Sequence, residues 1–168
     1  MIGIASDHGG FKLKNHLADY ITNGTVLKVV DMGCYDEDST DYPVWGHTVA
    51  QGIIEGKIER GIIICGTGIG ISISANRHPG IRAALCYDVT TARLARKHND
   101  ANVLALGARM TAPELAQEIV DTFMHTSFEG GRHARRVDAI ELKAPKYPGV
   151  AKIQQSVAKI QQVFKEFP

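Results

Sequence analysis

Cys65 ends an unbroken apolar run, Ile62-Ile63-Ile64, and is followed at once by Gly66-Thr67-Gly68-Ile69-Gly70. A thiol becomes a base or a nucleophile as its thiolate, so its surroundings decide whether it does chemistry. Three alternate glycines let the backbone turn sharply and approach a ligand closely. The uncharged segment after Gly70 has helical character, and a helix starting there aims its free N–H groups into the turn. The same helix terminus favours the thiolate. Strand, thiol, anion cradle and helix read as one catalytic device. A free cysteine is more often a small core residue; the turn sets Cys65 apart. Cys34 and Cys86 lack such a turn and read as structural.

Other residues qualify by type and place. Asp7-His8 closes the apolar run Ile2–Ser6, and Asp7 serves equally well as a helix cap or a ligand-binding carboxylate. His98-Asn99 precedes a later apolar run and reads first as a pair of turn residues, with a base for Cys65 as the other reading. Arg132 and Arg136 follow Gly130-Gly131 and stand four apart, on one helical face, fit to grip one phosphate or simply to be solvated. Arg109, just past a strand end, is similar. His16, His47, His78, His125 and His133 carry no positional argument and read as solvated or structural.

The elements that must position these groups alternate along the chain. Strands are expected over Ile2–Ser6, Val26–Val30, Ile62–Ile64, Arg82–Cys86 and Asn102–Leu106, and helices over 11–24, Val44–Glu55, Val89–Lys97 and about Pro113–Met124. Thr111-Ala112-Pro113-Glu114 supplies a helix start, and a short helix is expected from Gly130 to about Leu142. Five strands alternating with helices predict an α/β fold built on a doubly wound parallel sheet. Ligands then bind at the carboxyl ends of the strands, where Asp7-His8, Cys65–Gly70 and Arg109 emerge. His98-Asn99 lies at the opposite edge of the sheet. If both His98 and Cys65 serve one site, they come from different subunits, which points to a dimer.

Composition narrows the classes. The 168 residues are 44% hydrophobic and 22% charged, as in an ordinary globular domain. Nineteen basic against eighteen acidic residues give no pull toward nucleic acid or membrane. Three cysteines without paired spacing indicate neither a disulfide framework nor a zinc site. With no leader peptide read at its start, a cytoplasmic location is expected. Asp88 ends a strand about twenty residues after the glycines, as a ribose-binding acid does, yet the third glycine of a dinucleotide fingerprint is missing. A cysteine hydrolase using Cys65 and His98 and a non-catalytic sugar-phosphate-binding module stay open as alternatives.

Taken together, Asp7-His8-Gly9-Gly10, Cys65-GTGIGISISANR, Gly80-IRAALC, His98-NDANVLALG-Ala108-Arg109 and Glu129-GGRHARRV resemble type B ribose-5-phosphate isomerase over about residues 1–142. The resemblance implies a Rossmann-like three-layer fold, a homodimer or sometimes a tetramer with a shared site, and neither metal nor cofactor. It implies interconversion of ribose 5-phosphate and ribulose 5-phosphate in the pentose phosphate pathway. By the same resemblance Cys65 moves a proton between C2 and C1 and His98 opens the furanose ring. The backbone of Gly66, Gly68, Ile69 and Gly70, with Thr67, stabilises the enediolate. Asp7 holds sugar oxygens, Asn99 binds substrate beside His98, and His8, Arg109, Arg132 and Arg136 lie at or near the phosphate. The related galactose-6-phosphate isomerase subunits generally lack the His-Asn pair and the late arginines. Six-carbon substrates such as allose 6-phosphate remain compatible.

Residues 143–168 extend beyond the resemblance. Pro145 and Pro148 break the chain, and a seven-residue repeat then places Val150, Ile153, Val157, Ile160 and Phe164 on one stripe, as expected of a helix that docks on a partner subunit.

Overall fold

The computed structural model describes residues 1–141, and the expected tail helix lies outside them. Five parallel strands form one sheet: β1 (Ile2–Ser6), β2 (Val29–Asp31), β3 (Arg60–Cys65), β4 (Ala83–Leu85) and β5 (Val103–Gly107), in the order β2-β1-β3-β5-β4. Around it lie α1 (Phe11–Gly24), α2 (Tyr42–Ile54), α3 (Ile69–Ala75), α4 (Val89–Asn99), α5 (Pro113–His125) and α6 (Arg132–Asp138). Alternation along β3 divides the core into two layers. Ile62 and Ile64 pack with Leu17 of α1, Ala92 of α4 and Phe123 of α5. Ile63 and Cys65 pack on the other face with Val49 of α2 and Ile71 of α3. The three-layer expectation holds.

Several boundaries differ from the sequence reading. The second strand is Val29–Asp31 rather than Val26–Val30, because the ladder with β1 begins at Ile2 opposite Val29 and leaves Val26 98% exposed ahead of it. Helix α2 begins at Tyr42, before Val44, since Pro43 fits the first turn, where its missing N–H costs nothing. Ala112, not Thr111, caps α5: the residue before a proline is held extended. Thr111 Oγ1 is buried and has no hydrogen-bond partner among the described residues. The late helix ends at Asp138, short of Leu142.

Lys14 of α1 is fully buried and pairs with Asp31 at the end of β2. Asp31 also accepts the Gly33 N–H at 2.9 Å, so one carboxylate ties α1 to the chain leaving β2. Removing one partner strands a buried ammonium. Asp31→Ala should cost about 3 kcal/mol, the lower end of the range because Asp31 is partly wet, and lower Tm by roughly 6–12 °C. A melting point within about 2 °C of the native value would show the ammonium finding water instead.

Candidate active site

The order in which strands are added reverses between β1 and β3, the crevice where doubly wound folds bind ligands. Ser6 is in register with Ile64, so Asp7 and Cys65 leave adjacent strand ends together. Asp7 Oδ1 accepts the Gly10 N–H at 3.1 Å and caps the short 3-10 turn His8–Gly10. The capping reading of Asp7 is therefore realised, at the crevice itself. His8 faces Thr40, whose N–H lies 3.2 Å from its Nδ1.

Cys65 is 4% exposed, and the Gly68 N–H donates to its Sγ at 3.1 Å. That contact requires the turn to double back. Gly68 does so at φ +78°, where a Cβ would meet Leu85 Cδ1 at 2.4 Å and the Leu106 carbonyl carbon at 2.8 Å. Gly107, opposite Cys65 in β5, is equally constrained: a Cβ there would lie 2.6 Å from the Thr67 carbonyl oxygen. The Tyr87 hydroxyl donates to that oxygen at 3.1 Å and steadies the loop from above. Arg109 lies at the same crevice, its backbone N–H donating to the Gly66 carbonyl at 3.0 Å. Asp7, His8, Cys65–Gly70 and Arg109 thus form one constellation.

The remaining expected site residues form a second constellation at the amino edge of the sheet. His98 and Asn99 occupy the last turn of α4 rather than a corner, and Asp100 alone makes the turn, at φ +44°. Two arginines hold that strained residue. Arg96 Nη1 donates to Asp100 Oδ1 at 2.8 Å, and Arg82 Nη2 to Oδ2 at 3.1 Å. Arg82 Nε also donates to the carbonyls of Asn99 and Asp100, each at 3.0 Å. Helix α6 brings Arg132 and Arg136 to this corner. His8 and Arg109 are therefore not joined to Arg132 and Arg136 within one chain. The Val103-to-Gly107 steps of β5 alone put about 13 Å between the level of the His98 corner and that of Cys65.

Sequence reasoning missed Glu129 and His133. The two imidazoles of His98 and His133 stack with centroids 4.2 Å apart and planes 2° from parallel. Glu129 Oε2 lies 3.7 Å from His98 Nε2. His133 is buried, and burial first, then His98 and Arg132, hold its imidazole below the usual range. Its place between two expected phosphate arginines was the one available signal. The potential ligand atoms of His98, Glu129 and His133 fall within 4.8 Å of one another, the spacing of a metal centre. Parallel rings, however, direct their in-plane lone pairs side by side rather than onto one ion, and Arg132 adds a cation at 3.4 Å. The cluster is not shaped for a metal.

The other candidates separate cleanly. Asp88 caps α4, accepting the Thr91 N–H at 2.8 Å, and leaves the edge strand β4 with β5 between it and the glycine loop. It is not placed as a ribose-binding acid. Burial pushes the Cys86 thiol up to about 11, in keeping with a structural role. Among the described residues no helix is long and apolar enough to cross a membrane.

Comparison with known proteins decides the family. A family model described as Ribose/Galactose Isomerase matches residues 2–140. The chain belongs to the ribose/galactose isomerase family. Ribose-5-phosphate isomerase B of Escherichia coli is 45% identical over 139 residues, covering 83% of this chain and 93% of that protein. D-erythrulose-4-phosphate isomerase of Pectobacterium atrosepticum is 45% identical over 141 residues, covering 83% and 91%. The structure of ribose-5-phosphate isomerase B from Clostridium thermocellum superposes with a TM-score of 0.80 at 52% identity, covering 83% of this chain and 93% of that one. The two-sided, five-stranded parallel sheet is thus the family's fold.

Proposed function

We propose that the chain interconverts ribose 5-phosphate and ribulose 5-phosphate through an enediolate, in a homodimer whose sites are each built from two subunits. The observation that carries this reading is the Cys65 Sγ held under the Gly68 N–H at the β1/β3 crevice. His98 of the partner subunit opens the furanose by moving a proton from the O1 hydroxyl to the ring oxygen. Cys65 then takes the proton from C2 and returns it to C1 while the O2 hydroxyl proton passes to O1, and the charge that builds on the oxygens is met by the Gly66–Gly70 amides and Thr67. Asp7 and Asn99 hold sugar hydroxyls. His8 and Arg109 meet the partner's Arg132 and Arg136 around the phosphate. Cys34, Cys65 and Cys86 are all unpaired thiols, in keeping with the cytoplasm, where free sugar phosphates occur.

The deciding experiment compares ribose 5-phosphate, allose 6-phosphate, galactose 6-phosphate and D-erythrulose 4-phosphate in one coupled assay. The last is included because of the Pectobacterium relative. Ribose 5-phosphate should give the highest kcat/KM. A higher value for another sugar reassigns the substrate. Binding without turnover of any of them supports a binding module, and release of an acid or alcohol from an ester supports a hydrolase.

Arg132 and Arg136 should each matter to substrate capture. Losing a charge-assisted contact costs about 1.5 kcal/mol or more, roughly tenfold. Either alanine variant should therefore lower kcat/KM by about tenfold, chiefly through KM. Unchanged values for both would remove them from the phosphate site.

A further inference from the structure

Among the described residues no hydrogen bond fixes the ring of His98, whose side chain is 37% exposed at the end of α4. A group that hands a proton to a ring oxygen needs a fixed direction. The wall against which it rests is His133, 5% exposed, parallel, and 4.2 Å away. His133 is itself well anchored. Its backbone N–H donates to the Gly130 carbonyl at 2.9 Å at the start of α6. The intervening loop is tied back to α4, the Glu129 N–H donating to the Lys97 carbonyl at 3.0 Å and Arg96 Nε to the Thr126 carbonyl at 3.3 Å.

The contacts also define the form of His133. Arg132 Nε donates to His133 Nε2 at 3.4 Å, so that nitrogen carries a lone pair and the proton sits on Nδ1. A neutral ring can stack on His98 without charge repulsion, whichever form His98 takes. The charged groups around the pair are Glu129 from the loop and Arg132 and Arg136 from α6, with Lys97 beside His98 on α4. Stacking uses only the ring face of His98 and does not occupy its edge nitrogens, of which Nε2 looks toward Glu129 Oε2 at 3.7 Å.

We propose that His133 is a positioning residue with two duties: its face sets the plane of the ring-opening His98, and its Nε2 aims the Arg132 guanidinium toward the phosphate. This rests on the isomerase reading above. One buried imidazole then ties together ring opening and phosphate binding, the two ends of an extended sugar phosphate.

The duties separate by substitution. Phenylalanine at this position preserves the stacking face and loses the acceptor; alanine loses both. His133→Ala should lower kcat for ribose 5-phosphate at least about tenfold, since small misplacements at a reacting group carry penalties of that order or more. His133→Phe should recover most of kcat while KM stays raised, because Arg132 has lost its partner. Equal loss of kcat in both variants, or none in His133→Ala, overturns the proposal. A histidine NMR spectrum supplies a readout that needs no turnover. The His98 ring protons should show the upfield displacement of a stacked ring in the native protein and in His133→Phe, and lose it in His133→Ala. If ribose 5-phosphate is not a substrate, the isomerase reading fails, and those resonances still decide the stacking. A native His98 without upfield displacement defeats the proposal outright. Should His133→Ala not fold, the native and phenylalanine spectra and the KM-against-kcat split in His133→Phe remain decisive.

Discussion

Cys65→Ala is expected to bind ribose 5-phosphate yet isomerise it at least about a hundredfold more slowly, since a positioned general base contributes roughly 10²–10⁴ in rate. The geometry motivates the size of this loss. Sγ lies at the crevice, and the Gly68 N–H at 3.1 Å fixes its direction. Because the loop backbone is held independently by Gly107 and Tyr87, deleting the sulfur should leave the amides in place to bind substrate. Binding measured by calorimetry and turnover measured by the coupled assay should therefore part company. In heavy water the native enzyme should place deuterium on the carbon beside the carbonyl, as a thiol exchanges its proton with solvent between steps. A hydride shift keeps the original hydrogen. Near-native turnover in Cys65→Ala would remove the thiol from the mechanism.

A second large effect should come from mixing two inactive proteins. Cys65→Ala and His98→Asn each disable a different constellation, and the sheet keeps the two constellations at opposite edges of one chain. If every site draws Cys65 from one subunit and His98 from the other, a mixed dimer contains one intact site and one doubly defective site. Random pairing of equal amounts makes half the dimers mixed, so about a quarter of native activity should return on co-expression. Against a background near a hundredth, the rise would be roughly twenty-five-fold. Activity that stays at that background would mean each chain completes its own site. Differently tagged chains, purified through both tags, should give about half the native activity per dimer.

Much of this was legible in the sequence because it is local. The apolar run before Cys65 and the glycines after it specify a buried strand and a tight turn without reference to the rest of the chain, and β1 and β3 fall where those runs predict. The placement of His98 ahead of β5, at the amino end of the sheet, also follows from local order. What the sequence hides is set by distant packing. Nothing near β5 announces that it lies between β3 and β4, which delivers Gly107 and Arg109 to Cys65 and withholds Asp88 from the glycine loop. Asp100 looks like an ordinary turn residue until Arg82 and Arg96 are seen closing on it. His133, whose one cue is its place between Arg132 and Arg136, is buried where α6 packs against the end of α4.

The separation of thiol and imidazole by the length of a strand has a physiological corollary. On the shared-site reading, a chain newly released from the ribosome can be fully folded and still idle. Catalysis switches on at encounter with a second copy, so specific activity should depend on how much enzyme the cell holds relative to the dissociation constant of the pair. At low expression, output would climb with the square of chain number rather than in proportion to it. An allele that has lost both Cys65 and His98 would silence every mixed dimer it enters, whereas loss of either group alone leaves each mixed dimer one intact site.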